Sequence, residues 1–248
     1  MRRVRIIPVL LLKNGGLYKT IGFKNGRYVG DPINTVKIFN EKEADELLLL
    51  DFNASIEKRS PDFNKIAEIA GEAFMPMAFG GGIRTLEDAK KVFDCGYEKI
   101  VLNTILFENL KLVEDIAEIY GAQSVVGCID VKKNLFGKYK VYALSGSKKT
   151  GYEPAAWAKE LEKAGVGEII INNIDNDGTW NGYSLDLIHQ VAHNVSVPVI
   201  ACGGASSMED FKKAVEAGAS AVAAGSMFVY QKKGMGVLIS FPSSGLKV

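Results

Sequence analysis

The fold is decided by Phe79-Gly80-Gly81-Gly82-Ile83 and by Ala201-Cys202-Gly203-Gly204-Ala205, which lies 122 residues further on. Leu86-Glu87-Asp88, Lys90-Lys91, Gly96 and Asn103-Thr104 follow the first stretch. Met208-Glu209-Asp210, Lys212-Lys213, Gly218 and Gly225-Ser226 follow the second at the same offset, and Pro76 and Pro198 precede them by it. Solenoid repeats run about 20–50 residues. A period near half of a 248-residue chain instead means two similar halves.

Working outward, nearly continuous apolar runs recur at 5–12, 47–51, 75–79, 99–103, 124–130, 168–173, 197–202 and 221–224. Such runs fit strands buried on both faces of a parallel sheet. Amphipathic stretches at 33–43, 62–73, 86–95, 112–120, 153–163, 185–191 and 208–217 lie between them. Eight strands with intervening helices predict an α/β chain folded as a closed (β/α)8 barrel of two half-barrels. A doubly wound open sheet is the alternative. It usually carries G-x-G-x-x-G after its first strand, and Lys13-Asn14-Gly15-Gly16 does not match. No Pro/Gly/Ser-rich linker divides the halves, so residues 1–248 read as one domain. From about residue 231 the sequence is atypical: Gly234-Met235-Gly236 leads into Val237-Leu238-Ile239-Ser240-Phe241-Pro242, which fits the helical period poorly and reads as extended. That segment could cover the barrel edge or meet a partner.

Lys and Arg number 30, Asp and Glu 29, giving a net charge of +1. This balance, with basic residues single or in short pairs, argues against nucleic-acid binding or membrane attachment through bulk charge. The apolar run at 6–12 is broken by Pro8, too short to span a bilayer, and lacks a signal cleavage site, which points to the cytoplasm. Cys95, Cys128 and Cys202 form no CxxC pair and read as reduced, packed thiols. His189 and His193 share a helical spacing, but no HExxH or carboxylate set accompanies them, so no metal is expected.

Each half places glycines just after one strand and a hydroxyl residue after the next. Glycine lets an anion approach backbone N–H groups at a helix N-terminus. Gly82 with Asn103-Thr104, and Gly204 with Gly225-Ser226, therefore read as two phosphate sites across one barrel mouth, for a ligand phosphorylated at both ends. The bland alternative is tight βα turns. Trp180 could stack on a ligand ring or cap its loop. Arg5, Glu46, Lys99 and Glu168 stand at strand starts. They read either as a neutralised ring on the barrel floor or as four solvated charges.

The chain resembles the cyclase subunit of imidazole glycerol phosphate synthase over roughly residues 5–230. The resemblance rests on Asp45-Glu46-Leu47 with Leu50-Asp51, on Ala54-Ser55-Ile56-Glu57-Lys58-Arg59, and on Gly80-Gly81-Gly82-Ile83 with Asn103-Thr104. Ser145-Gly146 with Thr150-Gly151, and Asp177-Gly178-Thr179 with Gly182-Tyr183, complete it. It implies a two-phosphate barrel that receives ammonia through its core from a glutaminase docked on its N-terminal face. With that ammonia the family splits a phosphoribosyl-linked ribotide and closes an imidazole ring. No cofactor is implied. By position it implies phosphate contacts from Gly82, Asn103 and Thr104 on one side, and from Gly178, Gly204, Gly225 and Ser226 on the other. It places Lys19 on a covering loop, Asp51 and Asp177 at the mouth, and the four floor charges at the ammonia entrance.

The family uses two aspartates, at the tips of strands one and five, as general acid and base. Here the fifth strand supplies Asp130, but Leu10-Leu11-Leu12-Lys13 sets Leu11 at its counterpart. Leucine transfers no proton, and losing such a group costs about 10²–10⁴-fold. This departure resembles a divergent branch tied to surface polysaccharides, in which the barrel and a glutaminase supply ammonia to a sugar amidotransferase. Three readings follow: an ammonia-delivering subunit with impaired cyclase chemistry, a working histidine-pathway cyclase, or a module that only binds a phosphorylated ligand.

Overall fold

The computed structural model describes residues 3–243 and 245–247. Eight parallel strands close into a barrel: β1 (Arg3–Lys13), β2 (Leu47–Asp51), β3 (Met77–Gly80), β4 (Lys99–Leu102), β5 (Val125–Lys133), β6 (Glu168–Asn173), β7 (Val199–Cys202) and β8 (Ala221–Ala224). Each pairs with the next, and Arg5 of β1 pairs with Ala221 of β8, so no edge is left open. The helices are α1 (Pro32–Glu41), α2 (Phe63–Ala70), α3 (Leu86–Asp94), α4 (Lys111–Tyr120), α5 (Pro154–Lys163), α6 (Leu185–Ala192), α7 (Met208–Glu216) and α8 (Ser226–Val229). This is the (β/α)8 barrel expected from the repeat.

Strand alternation sorts the side chains into two cores. Ile6, Leu47, Leu49, Phe79, Ile129 and Ile169 pack outward under the helices. Ile7, Val9, Leu48, Ala78, Val101, Val126, Cys128, Ile170, Ile200, Ala221 and Ala223 fill the interior. Several of these inner side chains are small. The caps repeat with the halves: Thr85 accepts from Asp88 N at the start of α3, and Ser207 from Asp210 N at the start of α7, each in a reciprocal capping box. Glycines repeat too. A Cβ on Gly81 (φ +109°) would run into the Asp51 carbonyl oxygen, and one on Gly203 (φ +89°) would lie 2.6 Å from that of Asn173, Asp51's counterpart. Each βα loop passes so close over the preceding strand end that only glycine fits.

Two strands run longer than their apolar runs suggest. β1 continues into an antiparallel hairpin with Gly16–Ile21, which pairs with Lys24–Gly30. β5 does the same with Tyr139–Ala143. After the short α8 the chain turns back at 232–235, where the Met235 N–H donates to the Lys232 carbonyl, and runs on without regular secondary structure to residue 243. Tyr230 bridges Val237, Phe241 packs against Phe39 and Phe228, and Leu246 pairs with Val4 at the start of β1. Among the described residues no helix is long and apolar enough to cross a membrane.

Candidate functional site

The C-terminal ends of the strands surround one cavity. It is lined by Leu11, Lys19, Asp51, Gly82, Asn103, Thr104, Asp130, Asn172, Asp177, Gly178, Gly204, Gly225 and Ser226, among others. The expected phosphate residues and mouth residues thus share one site, with the two glycine–hydroxyl sets on opposite halves. Asn103 and Gly225 stand at matching positions, each opening a short helical turn. Thr104 Oγ1 accepts from Leu144 N at 3.1 Å. Trp180 (φ +64°) is not part of the lining, and its backbone turns the loop after β6.

Register fixes the partner of Asp130. Asp130 sits opposite Asn172 of β6 and Tyr142 of the second hairpin. Leu11 sits opposite Leu50 of β2 and Tyr18 of the first. Leu50 and Asn172 are 122 residues apart, so Leu11 and Asp130 hold the same place in their halves. One corner of the mouth is Leu11 with Leu50; the other is Asp130 with Asn172. Asn103 Nδ2 donates to Asp130 Oδ2 at 2.8 Å and Asn172 Nδ2 to Oδ1 at 2.9 Å, while the Cys128 thiol lies 3.9 Å from Oδ1. Burial pushes the Asp130 carboxyl up to about 6, against the opposing pull of the Asn172 N–H. Burial also raises the Cys128 thiol, so it stays protonated and unreactive.

The other mouth charges are engaged. Asp51 takes both arms of Arg59, at 2.7 and 2.9 Å, and this bond holds the guanidinium above its ordinary range. Arg59 was thus a missed partner, although its neighbour Asp51 was expected at the mouth. Lys19 comes from the first hairpin and donates to the Val9 carbonyl beside Gly225. Burial draws its ammonium down to about 8, and Asp177 opposes that shift. Burial raises the Asp177 carboxyl, which accepts from Thr20 at 3.4 Å. The Gly22 N–H donates to the Asp177 carbonyl at 2.9 Å, tying the hairpin to the loop after β6.

At the opposite end, the four floor charges close a ring. Arg5 bonds both Glu46 and Glu168. Lys99 Nζ lies 3.1 Å from Glu46 and 2.9 Å from Glu168. Each cation therefore bridges both anions beneath the apolar interior. His189 and His193 stack at 3.8 Å on an exposed helix face, and no group of three or more His, Cys, Asp or Glu that could hold a metal occurs among the described residues.

A barrel of two like halves, with a glycine- and hydroxyl-lined mouth over a charged floor, defines a class of repeated α/β barrel. The chain belongs to the histidine biosynthesis protein family, which matches residues 5–234, and within it to the imidazole glycerol phosphate synthase subunit HisF group. It is 51% identical over 243 residues to a Pseudomonas aeruginosa protein provisionally named imidazole glycerol phosphate synthase subunit hisF2, covering 98% of this chain and 97% of that one. It is 46% identical to the provisionally named hisF3 of Vibrio vulnificus, over 100% of this chain and 96% of that one. It is 40% identical to imidazole glycerol phosphate synthase subunit HisF of Streptomyces coelicolor, over 91% and 90%.

Proposed function

We propose that this chain is the ammonia-receiving barrel of a glutamine-dependent amidotransferase system, with impaired cyclase chemistry. It takes ammonia from a glutaminase docked below the floor ring and hands it on for amidino-sugar modification. The observation that carries this reading is Leu11, which fills the register position matching Asp130 and leaves the mouth one proton-transfer group short. The route is supported by the neutralised ring of Arg5, Glu46, Lys99 and Glu168, and by small inner side chains such as Ala78, Ala221 and Ala223 above it. Neutral ammonia crosses an apolar interior at far lower cost than an ion does.

The mouth retains the features of a two-phosphate site. Gly82, Asn103 and Thr104 serve one end of the ligand, and Gly178, Gly204, Gly225 and Ser226 serve the other. Lys19 and the adjoining N–H groups neutralise the second phosphate. The working histidine-pathway cyclase is the second reading, favoured by the retained Asp130 and Lys19 and by the HisF relatives.

Turnover of the family's bis-phosphorylated ribotide with saturating ammonium salt separates the two, because ammonium salt makes the glutaminase unnecessary. The expected result is no turnover by the native chain and measurable turnover by Leu11→Asp. Native turnover at about 1 s⁻¹ or faster would overturn the proposal in favour of the cyclase.

A further inference from the structure

We propose that the rim of the mouth, led by the second hairpin, is a docking surface for an acidic protein, the one that accepts the ammonia. The hairpin continues β5 and turns through residues 134–138. At its tip Leu135 and Phe136 are 101% and 87% exposed. Their turn is well tied. Asn134 Oδ1 accepts from the Phe136 and Lys138 N–H groups at 2.9 and 3.0 Å, and the Gly137 N–H donates to the Asn134 carbonyl at 2.9 Å. The hairpin is pinned to its surroundings by the Lys133 N–H on Asp175 at 2.8 Å and by the Tyr139 hydroxyl on Asp186 at 3.1 Å. Two large apolar side chains are thus held outward in water with nothing of this chain over them. Exposed apolar surface rimmed by charge marks interaction sites.

The tip has company around the mouth. Ile21 at the turn of the first hairpin, Ile56 in the loop after β2 and Tyr152 just before α5 are exposed as well. Charge gives the partner its sign. Residues 131–150 hold six lysines and no aspartate or glutamate, in a chain whose net charge is +1, so the rest of the chain is net acidic. Lys140 pairs with Glu153, and Lys132 donates to the Gly146 carbonyl at 2.6 Å. Lys138, Lys148 and Lys149 are exposed and without an ion pair among the described residues. Lys148 and Lys149 lie on the segment that pairs with Ala143 and Tyr142 of the hairpin. The complementary surface carries carboxylates around an apolar recess.

A protein fits this surface better than a lipid bilayer does. The exposed apolar side chains come from loops after three different strands and surround a cavity, whereas insertion into lipid needs one convex tip. Naming the partner as the ammonia acceptor rests on the proposed function; the surface does not. An acceptor seated on this rim closes the mouth over ammonia arriving from the floor.

The test uses the full chain, with the purified sugar amidotransferase of the same organism as the probe. Sedimentation velocity follows binding at about 50 and about 300 mM salt, since screening separates the charged from the apolar contribution. The expected result is a saturable equimolar complex, weaker at the higher salt. Leu135→Ser with Phe136→Ser should weaken it about tenfold or more at both salts. Lys138→Gln with Lys148→Gln and Lys149→Gln should weaken it at low salt and flatten the salt dependence. Phe74→Ser, an exposed apolar position at the floor end, should leave it unchanged. Thermal melts confirm that the variants fold. No complex, or one that the hairpin variants do not weaken, would overturn the proposal. So would a dimer of the chain alone that the same substitutions dissociate, which assigns the surface to a second copy. Binding to phosphatidylglycerol vesicles that the same substitutions abolish would overturn it in favour of a lipid surface. The ammonium-salt assay judges the functional reading separately: an active cyclase that still binds through the hairpin keeps the docking surface and loses the ammonia role.

Discussion

Replacing Lys99 by methionine tests the floor ring as a structural unit. The Glu46 and Glu168 side chains are 5% and 11% exposed, and each touches both cations. Without Lys99, both carboxylates depend on Arg5 alone, whose side chain is 31% exposed and partly screened by water. The ring then carries one uncompensated negative charge. Breaking a buried ion pair by removing one member costs about 3–5 kcal/mol. Because Arg5 still reaches both glutamates, the lower end applies, about 3 kcal/mol. Urea unfolding at neutral pH reads this as a lowered midpoint with an unchanged slope. Adding Glu168→Gln to Lys99→Met restores charge balance and should recover part of the loss, a coupling of at least about 1 kcal/mol. A single-variant loss under about 1 kcal/mol, or no recovery in the double variant, would show that the four charges act as independent solvated groups.

Two further predictions follow from the mouth. The Asp130 carboxyl resonance should titrate near 6, and Asn172→Leu should move that midpoint upward, because the lost N–H favours the ionised form; a midpoint that stays or falls contradicts the assignment. With a folded value near 6 against an ordinary 3.8, the folded state holds this proton longer than the unfolded chain, so this group's contribution to stability declines as pH rises through that window. Gly81→Ala should destabilise by about 2–3 kcal/mol in thermal or urea unfolding, since its φ is +109° and its Cβ would meet the Asp51 carbonyl; a neutral effect would mean that the loop shifts freely.

The barrel was legible because both cores leave marks in the sequence. Strands buried on two faces read as apolar runs, and the offset linking Gly82 to Gly204 exposed the two halves. The runs at 75–79 and 197–202 began two residues ahead of β3 and β7, because Pro76 and Pro198 continue the apolar pattern while the ladders begin at Met77 and Val199. The two hairpins went unread. Tyr139-Lys140-Val141-Tyr142 alternates with a strand's period but is polar at every second position, while the first hairpin turns at Gly22-Phe23 (φ +56° and +64°) and the turn-like pair Asn25-Gly26 sits inside its second strand.

At the site, Asp130, Lys19 and the glycines came from motif and resemblance. Asn172 did not, although two adjacent asparagines closing the apolar run at 168–173 were visible. Only the inward alternation of β6, locked to β5 by register, shows that Asn172 meets Asp130 while Asn173 turns away to bond Ser184. The clamp of Arg59 on Asp51 depends on a loop fold that no periodicity reports.

The matched geometry of the two halves makes the molecule its own reference sample. Leu11 with Leu50 and Asp130 with Asn172 sit on the same backbone frame, in one chain, at one temperature and in one solvent. A ligand analogue that can bind in two opposite orientations meets a greasy corner in one and a hydrogen-bonding corner in the other. The ratio of the two orientations then reports how the two corners differ, with Lys19 beside Gly225 and the Arg59 clamp on Asp51 contributing to that difference.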